Sequence, residues 1–173
     1  MASELQYRGE AAVHAFASKL LLRGHKPGRP LFDEGAADDI YVSIRERKSI
    51  VRVQVKSSKI KWHPSKPVST DMKISFPASI LEEESPVDIV AVCLWDWNRW
   101  FMGLFEGSDT RLLRDQGFGC HILRRAPHSP EIHFRPKIDL TSGQKITFSG
   151  ADVTRNFQEV GGRWDELFPT RFD

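Results

Sequence analysis

The sequence predicts a mixed α/β domain built around one sheet, and three features indicate this fold class. An amphipathic segment near the N-terminus has the spacing of a helix. Two adjacent segments then alternate polar and apolar residues, as the strands of a hairpin do. A nearly continuous apolar run from Val87 to Trp95 is typical of a central strand that is covered on both faces.

The first helix is predicted from about Arg8 to Arg23, and Gly24 ends it. Glu10 falls on the side of the apolar stripe, so we expect its carboxylate to face inward. A carboxylate in that place needs a partner, which is either the positive end of the helix or a metal or water in an acidic site. The stripe that should face the sheet comprises Val13, Phe16, Ala17, Leu20 and Leu21.

Two strands, at about 39–44 and 50–56, are predicted to pair through a charged turn at 45–49. Because side chains alternate between the two faces of a strand, the valines of the segment Val51–Lys56 should enter the core. Asp39 begins the first strand and points away from the apolar side. The polar residues of the second strand should line an exposed face beside it, namely Arg52, Gln54 and Lys56.

Four further segments extend the pattern. Residues 62–71 contain Pro64 and Pro67 and are predicted to form a surface loop. Residues 76–84 indicate a short helix with a proline in its first turn. The apolar run at 87–95 is followed by its expected partner strand at 99–105.

After residue 107 the pattern is weaker. Residues 131–135 and 145–149 alternate as strands do, and residues 151–160 predict a short helix. Residues 164–168 predict a final amphipathic turn that packs on the core.

A length of 173 residues fits one well-buried core. We therefore predict a single domain over residues 1–173, with its core at about 8–106 and a C-terminal extension at about 107–173. Cys93 and Cys120 provide no disulfide framework. The N-terminus lacks the profile of a signal peptide, and the longest apolar run is too short to span a bilayer. We expect a cytoplasmic protein.

The charge is distributed unevenly along the chain. Residues 1–70 carry 13 Lys and Arg against 7 Asp and Glu, whereas residues 71–173 carry 12 against 16. Residues 45–66 hold eight basic residues and one acid. Such a segment is either a solvated basic loop or a surface for nucleic-acid phosphates, and its position beside the candidate site favours nucleic acid. The expected DNA contacts are Arg52, Ser57, Ser58, Lys59 and Lys61.

An acid, an amide oxygen and a lysine are expected to converge where the two strands pair. Mg²⁺ prefers oxygen ligands and takes one or two protein carboxylates. Asp39 would be the principal ligand, with the Gln54 side chain, the Val55 backbone carbonyl and Glu10 completing the set. Lys56 would orient water or neutralise charge on a phosphate. Asp38 competes with Asp39 for the metal, and the alternation favours Asp39.

These residues resemble the PD-(D/E)XK nuclease superfamily. Asp39 matches the metal-binding aspartate, and Gln54-Val55-Lys56 matches the (D/E/Q)-x-K element. Glu10 matches the first-helix glutamate of resolvase-like members. The resemblance implies a restriction-endonuclease-like core, a central mixed sheet flanked by helices, and hydrolysis of DNA phosphodiester bonds with Mg²⁺ or Mn²⁺. Asp38 precedes Asp39 where proline is common, and Gln54 replaces the commoner acid.

The leading hypothesis is therefore a magnesium-dependent endodeoxyribonuclease that acts on Holliday junctions or on duplex DNA, as a homodimer or larger homo-oligomer. A restriction or homing endonuclease is an alternative within the same class. A DNA-binding module without activity is a second alternative, because Gln54 lacks a charge. A protein-interaction domain is the third.

Two weaker patterns complete the sequence. Cys120, His121, His128 and His133 lack the paired spacing of a zinc finger. Trp95, Trp97, Trp100 and Phe101 favour the core of a hairpin, and stacking on single-stranded bases is the alternative.

Overall fold

The structure, a computed structural model, describes residues 4–29, 39–44, 49–70, 72–122 and 130–171. In chain order its first elements are α1 (Glu4–Leu22), β1 (Lys26–Gly28), β2 (Ile40–Ile44), β3 (Ser49–Lys59), β4 (Lys61–Trp62), β5 (Ser69–Thr70) and β6 (Ile74–Pro77). A 3-10 helix at Ala78–Leu81 is followed by β7 (Ile89–Asp96), β8 (Arg99–Glu106), α2 (Gly107–Asp115) and β9 (Cys120–Ile122). The chain continues through β10 (Glu131–Phe134), β11 (Pro136–Asp139), β12 (Lys145–Phe148), β13 (Ala151–Asp152), α3 (Thr154–Phe157) and α4 (Arg163–Leu167).

The central sheet has the strand order β1-β2-β3-β7-β8. β3 and β7 are parallel, whereas the other neighbouring pairs are antiparallel, so the sheet is mixed. Helices pack against it. The fold class predicted from sequence is confirmed, as are the hairpin formed by β2 and β3, the central strand β7 and its partner β8.

Both faces of the central sheet are covered. Alternate residues of β7, beginning with Ile89, pack with α1 and α4 in one core. The intervening residues, beginning with Val90, enter a second core under the β6-β10-β9 and β11-β12-β13 sheets. Period-two alternation explains the division, since successive strand residues point to opposite faces. The rings that fill the second core lie edge-to-face, stacked or tilted against one another, and include Phe76, Phe105, Phe134 and Phe148.

Helix α1 departs from its prediction in two side chains. It starts at Glu4 and ends before Gly24, whose φ of 82° stops the helix. Leu21 is 57% exposed, and the Glu10 side chain is 62% exposed. The expectation that both face inward is wrong. At 3.6 residues per turn Glu10 lies about 120° around the helix from the buried Phe16, outside the core stripe.

Two predictions downstream are corrected, and the structure adds one helix that the sequence analysis does not predict. The proline-containing loop at 62–71 is bounded by a short strand pair, β4–β5. There the buried Ser69 Oγ accepts a hydrogen bond of 2.7 Å from the Ile138 backbone N–H, a partner 69 residues away. Helix α2 was not anticipated, although Glu106 and Asp109 form a capping box at its start. The expected helix at 151–160 is instead β13 followed by the single turn α3.

The C-terminal turn is confirmed as a core element. Trp164, Leu167 and Phe168 are buried against α1. Arg23, at the end of α1, donates a hydrogen bond of 2.6 Å from Nε to the Phe168 carbonyl and pairs with Asp165. Within the described ranges, none of the helices combines the length and apolarity that crossing a membrane requires.

Candidate functional site

Strand register brings Asp39, Gln54 and Lys56 together. Ile40 pairs with Val53, so Asp39 lies beside Gln54 at the point where the pairing of β2 with β3 ends. The Asp39 backbone N–H donates to the Val53 carbonyl at 2.9 Å, which extends the ladder by one bond. Gln54 and Lys56 are two residues apart on β3 and therefore share a face.

The Asp39 carboxylate is tied to β3. Its Oδ2 accepts a hydrogen bond of 2.6 Å from the Val55 backbone N–H. The Val55 carbonyl points to the same edge of β3, because the N–H and C=O of one strand residue face the same side. Burial raises the pKa of Asp39, and the nearby Glu10 charge adds to this. The Val55 hydrogen bond and the charges of Lys56 and Arg29 oppose the rise without cancelling it.

Gln54 supplies a neutral oxygen that the described residues leave unsatisfied. Its side-chain Oε1 is buried and has no hydrogen-bond partner among them. A buried polar atom in a native protein normally has a partner, and leaving one unpaired costs about 1–3 kcal/mol. An amide oxygen in this state suits a cation or a donor that binds to the site.

Lys56 is half-buried, which corrects the expectation of an exposed strand face. Lys56 lies on the same face of the central sheet as Val90 and Val92 of β7. This face packs against the second core. Burial lowers the pKa of Lys56, and the negative charges of Asp39 and Glu131 partly offset this effect. Lys56 thus sits within the electrostatic reach of two carboxylates from different sheets.

Glu131 is a site residue that the sequence did not reveal. It begins β10, which pairs with β6 under the central sheet. His133 Nε2 lies 2.9 Å from Glu131 Oε2. The alternation at 131–135 predicted a strand, but no spacing relates position 131 to Lys56, 75 residues earlier in the chain. Only the packing of the second sheet on β3 places them near each other.

Glu10 lies at the border of the site. Its Oε2 accepts a hydrogen bond of 2.9 Å from Arg29 Nη2. The charges of both residues act on Asp39. Glu10 therefore joins the electrostatics of the site from the solvent side. Asp38, the alternative to Asp39, lies outside the described residues.

Arg52 has a structural role, because its side chain is bound by other residues of the protein. Its Nε and Nη2 donate to the Asp88 carboxylate at 3.0 and 2.8 Å, and Nη2 also donates to the Ser85 carbonyl at 2.6 Å. The Arg52 backbone N–H donates to Asp88 Oδ2 at 2.7 Å. Burial opposes ionisation of Asp88, but the hydrogen bonds and charge of Arg52 outweigh it and lower the pKa of Asp88. This network fixes the entry to β7 beside β3.

The remaining expected DNA contacts occupy both faces of β3. Ser58 shares the face of Lys56, whereas Ser57 and Lys59 share the opposite face. Both serines are half-buried. The Lys59 ammonium lies 4.2 Å from the centre of the Trp97 ring, and Lys61 is exposed on β4.

The donor set fits one hard cation. It consists of the Asp39 carboxylate, the Val55 carbonyl and the Gln54 Oε1, which has no partner among the described residues, and it suits Mg²⁺ with bound water. The described part of the chain contains no group of three or more His, Cys, Asp and Glu side chains placed to hold a metal. Cys120 and His133 are therefore not part of such a group within the described residues. His128 lies outside the described residues.

No family model matches the chain, and no curated protein is similar to it at a significant level. Among solved structures, the chain is similar to a bacterial homing endonuclease, I-Ssp6803I, with a TM-score of 0.45 and 16% identity. That similarity covers 77% of this chain and 75% of the endonuclease. The functional conclusion rests on the side chains described above.

Proposed function

We propose that this protein is a metal-dependent endodeoxyribonuclease, with Asp39, Gln54 and Lys56 at its active site. The observation that carries the proposal is the Gln54 Oε1, which is buried and has no hydrogen-bond partner among the described residues, beside the half-buried Asp39 and Lys56. Burial works against each of the two charges, so the arrangement costs stability. Groups held at such a cost are typical of functional sites.

Each residue has a defined part in phosphodiester hydrolysis. Asp39, Gln54 and the Val55 carbonyl would hold Mg²⁺ or Mn²⁺, which lowers the pKa of a bound water and neutralises charge on the phosphate. The Val55 N–H holds the Asp39 carboxylate in a fixed orientation. Protonated Lys56 donates a hydrogen bond to a phosphate oxygen and stabilises the negative charge that develops there. Asp39 and Glu131 help Lys56 to stay protonated at neutral pH.

DNA is the proposed substrate because Gln54 and Lys56 lie within the basic stretch 45–66 of the sequence. Lys61 is exposed on β4 and can contact a phosphate beside the cleaved bond, whereas Lys59, on the opposite face of β3 from Lys56, would contact DNA further along the strand. Cutting both strands of a duplex or a junction requires two scissions, and we propose a homodimer that provides two sites. Holliday junctions, a specific duplex sequence and a homing site are the candidate targets.

The proposal is tested by incubating plasmid and branched DNA with Mg²⁺ or Mn²⁺. We expect metal-dependent nicking by the wild-type protein and its loss in Asp39→Ala and Lys56→Ala. Lys137→Ala, which removes an exposed lysine of β11, serves as the matched control and should cleave normally. Wild-type turnover in either site variant would refute the assignment. Tight DNA binding without cleavage would support the alternative of an inactive binding module.

Lys56→Arg provides a second test of the role of Lys56. Because burial lowers the pKa of Lys56, we expect the wild-type cleavage rate to fall with rising pH before an exposed lysine would lose its proton. Arginine stays charged over this range. Any activity that Lys56→Arg retains should therefore persist at alkaline pH, and an identical alkaline decline in both proteins would contradict the proposed role.

A further inference from the structure

An aromatic cleft lies between the first turns of α1 and the hairpin that joins β7 to β8. We define the aromatic cleft by the side chains of Tyr7, Trp95, Trp97 and Trp100. Its volume is about 330 Å³, at the lower end of the range for ligand pockets. It is separate from the Asp39 site, because Lys59 and Trp95 occupy the opposite face of the sheet from Lys56.

Two of the four rings of the cleft are exposed. Trp97 is 70% exposed and Tyr7 is 67% exposed. Trp95 and Trp100 face each other across the β7–β8 pair, with centroids 6.1 Å apart and planes at 30°. Trp97 lies in the turn, 4.7 Å from Trp95. The hairpin-core interpretation of these tryptophans is therefore wrong for Trp97, whereas Phe101 is buried as expected.

A cation stands at the rim of the cleft. The Lys59 ammonium lies 4.2 Å from the centre of the Trp97 ring and 5.9 Å from that of Trp95. Arg8 also lines the cleft and pairs at 2.9 Å with Glu4, the one acid among the described lining residues, so that charge is already neutralised. The cleft thus offers flat apolar surfaces beside a positive charge.

We propose that the aromatic cleft binds an unpaired nucleotide of single-stranded DNA, with its base against the tryptophans and its phosphate on Lys59. Aromatic rings stack on any base, and a neighbouring cation contacts the backbone. An apolar peptide would gain nothing from the lysine held at the rim, whereas a base with its attached phosphate matches both the rings and the positive charge. The choice of DNA as the ligand rests on the proposed function.

The position of the cleft relative to Lys56 supports this choice. Lys59 is three residues further along β3, a distance of about 10 Å. Within the described residues, β2 pairs with β3 only as far as Val53 and the single bond from Asp39. A DNA strand frayed at Lys56 therefore lies close to Lys59 along β3.

The experiment measures binding in EDTA, so that it requires no cleavage. Fluorescein-labelled oligo(dT) and a blunt-ended, fully paired duplex of the same charge are titrated by anisotropy with the wild-type protein, Trp97→Ala and Trp97→Phe. We expect Trp97→Ala to bind oligo(dT) about ten-fold more weakly and the blunt duplex equally well. Trp97→Phe should recover most of the loss. Val160→Ala, which trims another exposed apolar side chain, is the control and should match the wild type.

Equal affinity of the wild type and Trp97→Ala for oligo(dT) overturns the inference. So does a change of oligomeric state in Trp97→Ala, since the cleft would then be an interface between copies of the chain. If the wild type nicks plasmid DNA but Trp97→Ala binds oligo(dT) normally, the proposed function stands and the cleft proposal is refuted. If Trp97→Ala weakens oligo(dT) binding but the wild type nicks no DNA, the cleft proposal stands and the nuclease proposal is refuted.

Discussion

Replacing Gln54 separates a metal ligand from an ordinary strand residue. Its Oε1 is buried without a partner among the described residues, which costs about 1–3 kcal/mol of folding free energy. Gln54→Met keeps the length of the side chain and removes both polar groups. In EDTA we expect this variant to be more stable than the wild type by at least about 1 kcal/mol. For a chain of this size that is a rise in Tm of roughly 2–4 °C.

Bound metal should reverse the order of stability of the wild type and Gln54→Met. A cation at 100 times its Kd stabilises the protein to which it binds by about 2.7 kcal/mol. We expect Mg²⁺ or Mn²⁺ to raise the Tm of the wild type and to have little effect on Gln54→Met. Gln54→Glu adds a buried anion beside Asp39, so it should be the least stable of the three in EDTA. It should gain most from metal and retain cleavage, whereas Gln54→Met and the shorter Gln54→Leu should be inactive at ordinary Mg²⁺ concentrations.

Thermal denaturation with and without metal measures these effects. Gln144→Met, at an exposed glutamine, controls for the substitution itself and should follow the wild type. A Gln54→Met protein no more stable than the wild type in EDTA would refute the claim that Oε1 is unsatisfied. An equal metal-induced rise in Tm in Gln54→Met and the wild type would refute the ligand role.

Three further predictions follow from the charges on β3. Burial lowers the pKa of Lys56 below 10.5, so the unfolded chain binds this proton more tightly than the folded protein. Stability should therefore rise with pH from the folded pKa up to about 10.5, and Lys56→Met should remove that contribution from urea midpoints measured across alkaline pH. Asp88→Ala should cost about 1 kcal/mol, since the Arg52–Asp88 pair is partly exposed, and a double-mutant cycle should show coupling between them. Lys61→Ala should reduce the log–log salt slope of duplex binding by about 0.9, whereas Arg52→Ala should leave it unchanged; a reduced slope in Arg52→Ala would make Arg52 a phosphate contact.

Local patterns in the sequence determined the β2–β3 hairpin and the order of its side chains. Side chains alternate between the two faces of a strand, so the positions of the apolar residues show which polar residues of that strand share the other face. That was enough to group Asp39, Gln54 and Lys56, which lie at most 17 positions apart. The same reasoning identified β7, β8 and the buried turn around Trp164.

The same patterns misplaced groups whose surroundings come from distant parts of the chain. Alternation predicted an exposed polar face on β3, but the second sheet covers that face and desolvates Lys56. The sequence predicts Arg52 to contact DNA. In the fold its guanidinium instead binds the carboxylate of Asp88, 36 residues later in the chain.

What the sequence by itself determined was therefore the local half of the site: the two paired strands, the faces of their side chains and the identity of the oxygen and nitrogen groups. Tertiary structure decided the other half, which is how strongly each group is buried and which charges face it. Glu131 reaches Lys56, Arg29 pairs with Glu10, and Lys59 meets Trp97 through packing between elements that no spacing rule connects. The physical reason is that backbone geometry is set by neighbours in sequence, whereas desolvation and Coulomb interactions depend on neighbours in space.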